Sequence, residues 1–314
     1  MSRAFGYRAF GGPEVQFHFD RPDPQPGVGE VLIRVRTAGV ARLDPLLRSG
    51  HVRALNGHLP FPQVMGMEAA GDVLATGADV TDLVVGDAVF GFALSGAGTY
   101  AETTVLPAAN AARKPETLPY EWAATIPVSG TTALDALDWL DLPEGATLLV
   151  NGVGGSTGQI TAQLARARGL TVIGTGSDSK RAGAEALGVT FVSYTAGDVP
   201  GQVRQLAPSG VDGLIDLVGG DALRSVAALA TDPRQLLSAA DDTVRELGGE
   251  FLPRRLDRAS LETVAALMVD GTVDPHITRV FAFEQSAEAV AAVETGHTAG
   301  KLVLTVSASP QPAR

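Results

Sequence analysis

The sequence predicts an α/β protein in two parts, a small β-barrel and a doubly wound parallel sheet. Three observations carry this. Residues 1 to about 115 hold short apolar runs punctuated by Gly and Pro, the texture of closely turned strands. From about 120, short buried-strand runs alternate with helix-type segments, which implies parallel strands with crossover helices. Between the first of those strands and its helix lies a Gly-rich turn, Asn151-Gly152-Val153-Gly154-Gly155-Ser156-Thr157-Gly158.

Length and composition fit this division. At 314 residues the prior is two domains, at roughly 100–200 residues each. Lys+Arg 24 against Asp+Glu 35 gives a net charge of −11, so the chain lacks the basic footprint of a nucleic-acid or anionic-lipid binder. Met1-Ser2-Arg3-Ala4-Phe5 has no apolar leader core, and no apolar run reaches the ~18 residues of a membrane span. The expectation is a cytoplasmic enzyme. Cysteine is absent, so disulfides are excluded. The tail from Ser307 to Arg314 reads as frayed.

In the first part, Pro26-Gly27-Val28-Gly29 reads as a turn and Val31–Arg36 as a strand. Further strands are expected at Ala69–Leu74 and Asp87–Gly91, and a loop over 46–62. In the second part Thr131–Leu140 reads as a helix and Thr147–Val150 as a buried strand. Thr157–Arg168 is a helix with Ile160 and Leu164 on one face and Gly169 as its stop. Strands follow at Thr171–Ile173, Phe191–Tyr194, Gly213–Val218 and Gln235–Leu237, with helices at Lys180–Leu187 and Ala222–Ala230 between them. Helices over Ser260–Val269 and Ser286–Glu294 precede a closing strand, Lys301–Val306, which returns to the first part. The domain boundaries expected are 1–119 with 256–314 for the barrel part and 120–255 for the nucleotide part.

A strand, a glycine turn and a helix start make a pyrophosphate site. The glycines let the backbone approach phosphate, and the helix N-terminus offers free N–H groups and positive potential. The second strand decides which dinucleotide. An NAD site places Asp or Glu at that strand's end, about 20 residues past the loop. Here the chain reads Thr175-Gly176-Ser177-Asp178-Ser179-Lys180-Arg181. No acid ends the strand. Ser177, Lys180 and Arg181 are suited to a 2′-phosphate, whereas Asp178 stands late and can instead cap the next helix. The reading is NADPH.

With these residues in place, the chain resembles the zinc-independent medium-chain dehydrogenase/reductases, in the quinone oxidoreductase and enoyl reductase branch. The resemblance runs from about residue 3 to 306. It rests on Ala38-Gly39-Val40 with Asp44, Met65-Gly66-Met67-Glu68-Ala69-Ala70-Gly71, Val85–Gly91, Tyr100-Ala101-Glu102, Pro127–Ala133, the Gly loop with Ala162–Ala165, and Gly296–Leu304. It implies a GroES-like substrate domain, a Rossmann domain, a cleft between them, NADPH and a homodimer. It also implies roles by position. Thr132 would touch the nicotinamide side, and Gly155, Ser156 and Thr157 would cradle the pyrophosphate. Gly176, Ser177, Lys180 and Tyr194 would take the adenosine 2′-phosphate end, with Ala239 and Phe251 along the nicotinamide half.

The departures are chemical. Zinc-dependent relatives carry Cys and His where this chain has Ala41 and Met67, and the four-Cys lobe is missing. Zinc needs several N or S ligands, and His18, His51, His58, His276 and His297 form no close pair in sequence. No metal is expected. Quinone reductases often carry Asn and Tyr where Ala41 and Leu46 stand, and Gly where Ser156 stands, so the pocket reads as more apolar. The reaction expected is hydride transfer from NADPH to a quinone or a carbonyl-conjugated C=C bond, with positioning and oxyanion stabilisation as the protein's share. His51 and Tyr100 are the candidate proton donors, with solvent as the alternative. Glu68 reads as structural, paired with an Arg. Two other readings stay open: a tailoring reductase of a specialised-metabolite enone or imine, and a silent NADPH-binding scaffold or sensor.

Overall fold

The computed structural model describes residues 1–93, 96–296 and 298–306. The chain divides into two compact units. The first comprises Met1–Val128, Leu256–Val269 and the chain from Ile277; the second comprises Ser129–Arg255 and Asp270–His276.

The first unit opens with β1 (Ser2–Tyr7), β2 (Gln16–Arg21) and β3 (Glu30–Val40). Then come α1 (Leu43–Ser49), α2 (Arg53–Asn56), β4 (Gln63–Val64) and β5 (Glu68–Thr76). The stretch 46–62, expected as loop, is thus partly helical. β6 (Ala88–Phe92), β7 (Thr103–Pro107), β8 (Ala111–Arg113) and α3 (Tyr120–Ala123) follow. Residues 120–128 belong here and not with the nucleotide part, where the sequence reading placed them. The reason is bonding: Tyr120 Oη donates to Asp72 on β5, and the Val128 N–H donates to Glu68 at 2.7 Å.

The second unit holds β9 (Thr147–Asn151), β10 (Thr171–Gly176), β11 (Thr190–Ser193), β12 (Gly213–Asp216), β13 (Leu236–Ser238) and β14 (Glu250–Phe251). Its helices are α4 (Thr131–Leu140), α5 (Ser156–Ala167), α6 (Arg181–Ala186), α7 (Val199–Leu206) and α8 (Gly220–Val226). All its strand pairs are parallel, in the order β11-β10-β9-β12-β13-β14. The first strand of the unit is central and the order reverses beside it, the switch point at which doubly wound sheets bind nucleotides. Leu149 of β9 packs with Ile173, Leu214, Val203, Leu223 and Val226, so α7 and α8 cover that face. Leu148 and Val150 point the other way and are fully buried too. Burial on both faces explains why Thr147–Val150 reads as a continuous apolar run. Each such aliphatic side chain contributes about 1.5–3 kcal/mol relative to exposure.

The chain then returns to the first unit through α9 (Arg258–Val269), β15 (Ile277–Ala282), α10 (Ser286–Glu294) and β16 (Lys301–Thr305). β16 pairs antiparallel with Thr37–Val40 at the C-terminal half of β3, while β7 pairs with Glu30–Arg34 at its other half. β3 therefore organises a seven-stranded, mostly antiparallel sheet, β15-β16-β3-β5-β6-β8 with β7 alongside. A three-stranded sheet, β2-β1-β4, adjoins it through Ala4–Ala101 and the Phe5 N–H on Tyr100 O. Phe5, Val31, Ile33, Val35, Leu106, Phe281 and Leu304 share one core. His297 and the tail from Ser307 fall outside the described residues.

Candidate active site

The glycine turn is built from the ends of β9 and β10. Gly152 has φ +95°, a conformation that excludes ordinary side chains. Its N–H donates to Thr175 Oγ1 at 3.0 Å, and the Val153 N–H donates to Thr175 O at 3.0 Å. Gly155 is extended and ends the turn; α5 begins at Ser156. A Cβ at Gly158 would come within 2.7 Å of Val153 Cα, so the third glycine lets the helix close on the turn. Around Gly155 the nearest atom to a Cβ is 3.9 Å away, which leaves room over the helix start. Ser156 Oγ donates to Ser129 Oγ at 3.0 Å, tying the helix start to the segment before α4. Thr157 is half-buried and Thr132, on α4, is buried. Arg254 holds that part of α4 through Thr131 Oγ1 (2.5 Å) and Asp135 (2.9 Å).

β10 runs one residue past Thr175 and ends at Gly176. Ser177 and Ser179 share a hydrogen bond at 3.0 Å. The stem of Lys180 lies against the turn so closely that a Cβ at Gly154 would overlap it. Lys180 is half-buried, and among the described residues no carboxylate stands within ion-pair distance of it. Burial holds its ammonium below the usual lysine range. Arg181 differs: it is paired with Asp178 (3.2 Å) and Glu185 (3.4 Å), and lies over the Phe191 ring. Asp178 caps neither neighbouring helix, since Ser177 and Lys180 hold those positions. Its carboxylate accepts from Thr195 and Arg181, and those contacts depress its pKa. Tyr194 is exposed beyond β11. Ala239 directly follows β13 and Phe251 ends β14, at the same C-terminal end of the parallel sheet as the turn.

Beneath these residues runs a hydrogen-bond chain that the sequence reading did not find. Thr175 Oγ1 donates to Asn151 Oδ1 at 2.6 Å, and Asn151 Nδ2 donates to Asp216 Oδ1 at 2.7 Å. Ser238 Oγ donates to Asp216 Oδ2 at 2.7 Å, and the Gly219 N–H to the same oxygen at 3.0 Å. Four neighbouring strands, β10, β9, β12 and β13, are thereby tied at their C-terminal ends. The available signal was that polar Asn151 and Asp216 each close an otherwise apolar run.

In the first unit the residues that recur in the quoted motifs are buried. Tyr100 is fully buried and donates to Asp44 Oδ2 at 2.7 Å. Burial, and then the adjoining Asp44 charge, raise its pKa well above the tyrosine value. A phenol so committed and sealed is a structural group, which corrects its reading as a proton donor. The Ala41 N–H also donates to Asp44 Oδ2, at 2.8 Å. Burial pushes the Asp44 carboxyl up to about 6. Glu68 is fully buried and pairs with Lys301, not with an Arg. His51 is exposed after α1, with Nδ1 2.6 Å from Ser49 Oγ.

The chain matches the family model described as alcohol dehydrogenase GroES-like domain over residues 27–116. It matches the one described as zinc-binding dehydrogenase over residues 187–304. The synaptic vesicle membrane protein VAT-1 homolog of Rattus norvegicus is 30% identical over 94% of this chain and 82% of its own length. The quinone oxidoreductase of Coxiella burnetii superposes with a TM-score of 0.89 at 29% identity, covering 98% of this chain and 99% of that one. The chain is a medium-chain dehydrogenase/reductase of the quinone oxidoreductase branch. A mycobacterial protein solved in complex with NADPH superposes on this dehydrogenase/reductase with a TM-score of 0.86 at 26% identity, over 97% of this chain and 100% of that one. In the present family member Ala41 and Met67 offer no zinc ligand. Among the described residues no group of three His, Cys, Asp or Glu side chains is placed to hold a metal. Its glycine turn, helix start and open surface at Gly155 suit a nicotinamide dinucleotide. No helix among the described residues is long and apolar enough to cross a membrane.

Proposed function

We propose that this chain is a zinc-free, NADPH-dependent reductase acting on a quinone or a carbonyl-conjugated C=C bond. The observation that carries the cofactor choice is Lys180: a half-buried ammonium with no carboxylate partner among the described residues, laid against the glycine turn at a strand end without an acid. Desolvated and unpaired, it favours an anion beside it, and a 2′-phosphate is the anion that distinguishes NADPH. When bound, the reduced nicotinamide supplies hydride; a conjugated acceptor spreads the developing charge without a Lewis acid.

The chain's own residues then bind and orient. Gly155, Ser156 and Thr157 present the α5 N-terminus to the pyrophosphate. Gly176, Ser177, Lys180 and Tyr194 receive the 2′-phosphate end. Thr132, Ala239 and Phe251 position the nicotinamide half. Of the two candidate proton donors, His51 alone is exposed, and we assign it proton delivery to the reduced acceptor.

The test is loss of NADPH absorbance with a panel of small enones and quinones. Turnover of either class is the expected result. Tight NADPH binding with no turnover of any acceptor favours the silent-sensor reading instead.

A further inference from the structure

The chain carries 21 Arg but three Lys, so each lysine can be followed by itself. Lys301 is buried and ion-paired with Glu68. Lys114 Nζ donates to Pro115 O (2.9 Å) and Leu118 O (2.7 Å) and lies over the Tyr120 ring. Lys180 differs from both. Among the described residues its Nζ has neither a hydrogen-bond nor an ion-pair partner, and burial is the one influence on its titration.

Packing fixes where that amine stands. A Cβ at Gly154 would come within 2.2 Å of Lys180 Cδ, and one at Gly176 within 3.8 Å of Lys180 Cβ. The stem is thus held against the glycine turn and the end of β10. The side chain is only half-buried, and Nζ is not one of the sealed, unpartnered polar atoms, so a reagent from solvent can reach it. An amine is nucleophilic only when unprotonated, and desolvation favours that form. Guanidinium groups stay charged, so the 21 arginines do not compete for an electrophile. Among the described residues no carboxylate stands beside Nζ to repel an anionic donor. A compact donor suits a half-buried tip.

We propose that Lys180 is a modification site, acylated by a small acyl phosphate when no dinucleotide is bound, and that acylation removes the preference for NADPH. The first half stands on the surroundings of the side chain; the second rests on the cofactor reading above. In the step, Nζ attacks the acyl carbon and an amide N–C bond forms. The C–O bond to phosphate breaks, inorganic phosphate leaves and a proton passes to solvent; nothing is oxidised or reduced. The product keeps the stem and loses the charge. A bound 2′-phosphate covers the amine and holds it protonated, so the cofactor protects its own site.

The test incubates the full chain with acetyl phosphate and follows each lysine by peptide mass spectrometry. Lys180 should be acetylated roughly tenfold or more faster than Lys114 and Lys301 in the folded chain, and all three alike in guanidinium chloride. Saturating NADPH should slow Lys180 by about tenfold or more and leave Lys114 unchanged. Equal rates at Lys180 and Lys114 in the folded chain, or no reaction at Lys180, overturn the site and leave the cofactor reading standing. A second arm titrates the acetylated chain with NADPH and with NADH. NADPH should bind roughly tenfold to hundredfold more weakly than before treatment, with NADH unchanged. Lys180→Arg keeps a charge but has no amine to acylate, so treatment should leave its own NADPH affinity where it started. A fall in that variant, or unaltered NADPH affinity in the parent acetylated at Lys180, overturns the switch. The latter result also counts against Lys180 as the 2′-phosphate group and leaves the modification site standing.

Discussion

Two buried aspartates solve the same problem in opposite ways. Asp216, in the second unit, is fully buried and engages both oxygens, with Asn151, Ser238 and the Val218 and Gly219 backbone N–H groups as donors. Asp44, in the first unit, is almost as buried but crowds its donors on one oxygen and leaves the other without a partner among the described residues. The satisfied carboxylate is architecture: it locks four strand ends under the glycine turn. The half-satisfied one carries a buried acceptor with no partner among the described residues. Burial alone therefore does not tell how well an acid is satisfied; the count of unmet acceptors does.

The comparison predicts effects of different size. Asp216→Ala leaves four donors without an acceptor and should cost about 4 kcal/mol, seen as a lower thermal midpoint. A loss below about 1 kcal/mol would break the contrast from the Asp216 side.

Asp44 predicts a dependence on pH. Its carboxyl titrates at 3.8 unfolded and at about 6 folded, so the folded chain holds the proton in that window. Stability from this group is fully present below about pH 4 and is lost as pH rises through 6, a change of about 3 kcal/mol. Burial dominates the shift; donation from Ala41 and Tyr100 and the charge of Lys301 oppose it, and Glu68 adds to it. Asp44→Asn removes the titration. Relative to the parent it should gain about 3 kcal/mol between pH 4 and pH 7, measured by thermal unfolding across that range. A constant difference would place the Asp44 pKa near its ordinary value.

Smaller effects concern turnover and cofactor. His51→Gln should lower kcat for a conjugated alkene roughly hundredfold, with KM little changed and a flatter pH profile. An unaltered profile assigns the proton to solvent. Lys180→Ala should weaken NADPH roughly tenfold to hundredfold while leaving NADH binding unchanged.

The two units differ as well in how far sequence predicts them. The second unit was legible at most of its strands and helices, because one local rule dominates each of those segments, but not at α7 or β14. Thr147–Asn151 is apolar on both faces; Ile160 and Leu164 repeat at helical spacing; Gly169, with φ +76°, stops α5 where the sequence says it should. The first unit was legible at β3, β5 and β6 but not at β1, β2, β4 or β15. β4 spans two residues and exists through its pairing with Gly6 and Tyr7, far away in sequence. α1 carries Pro45 and ends on Gly50, signals that a loop shares. Site residues divide similarly. Lys180 follows from its offset to the glycine turn. Tyr100 was misread as a donor because its burial, and its bond to an acid 56 residues away, arise only on folding. The Glu68–Lys301 pair, 233 residues apart, was hidden for the same reason.

The most direct test is which dinucleotide the glycine turn prefers. Titration of the intact chain with NADPH and with NADH, followed by nicotinamide fluorescence, measures it. NADPH should bind tighter by about tenfold or more, with the preference lost in Lys180→Ala. Equal affinities in the parent chain would contradict it.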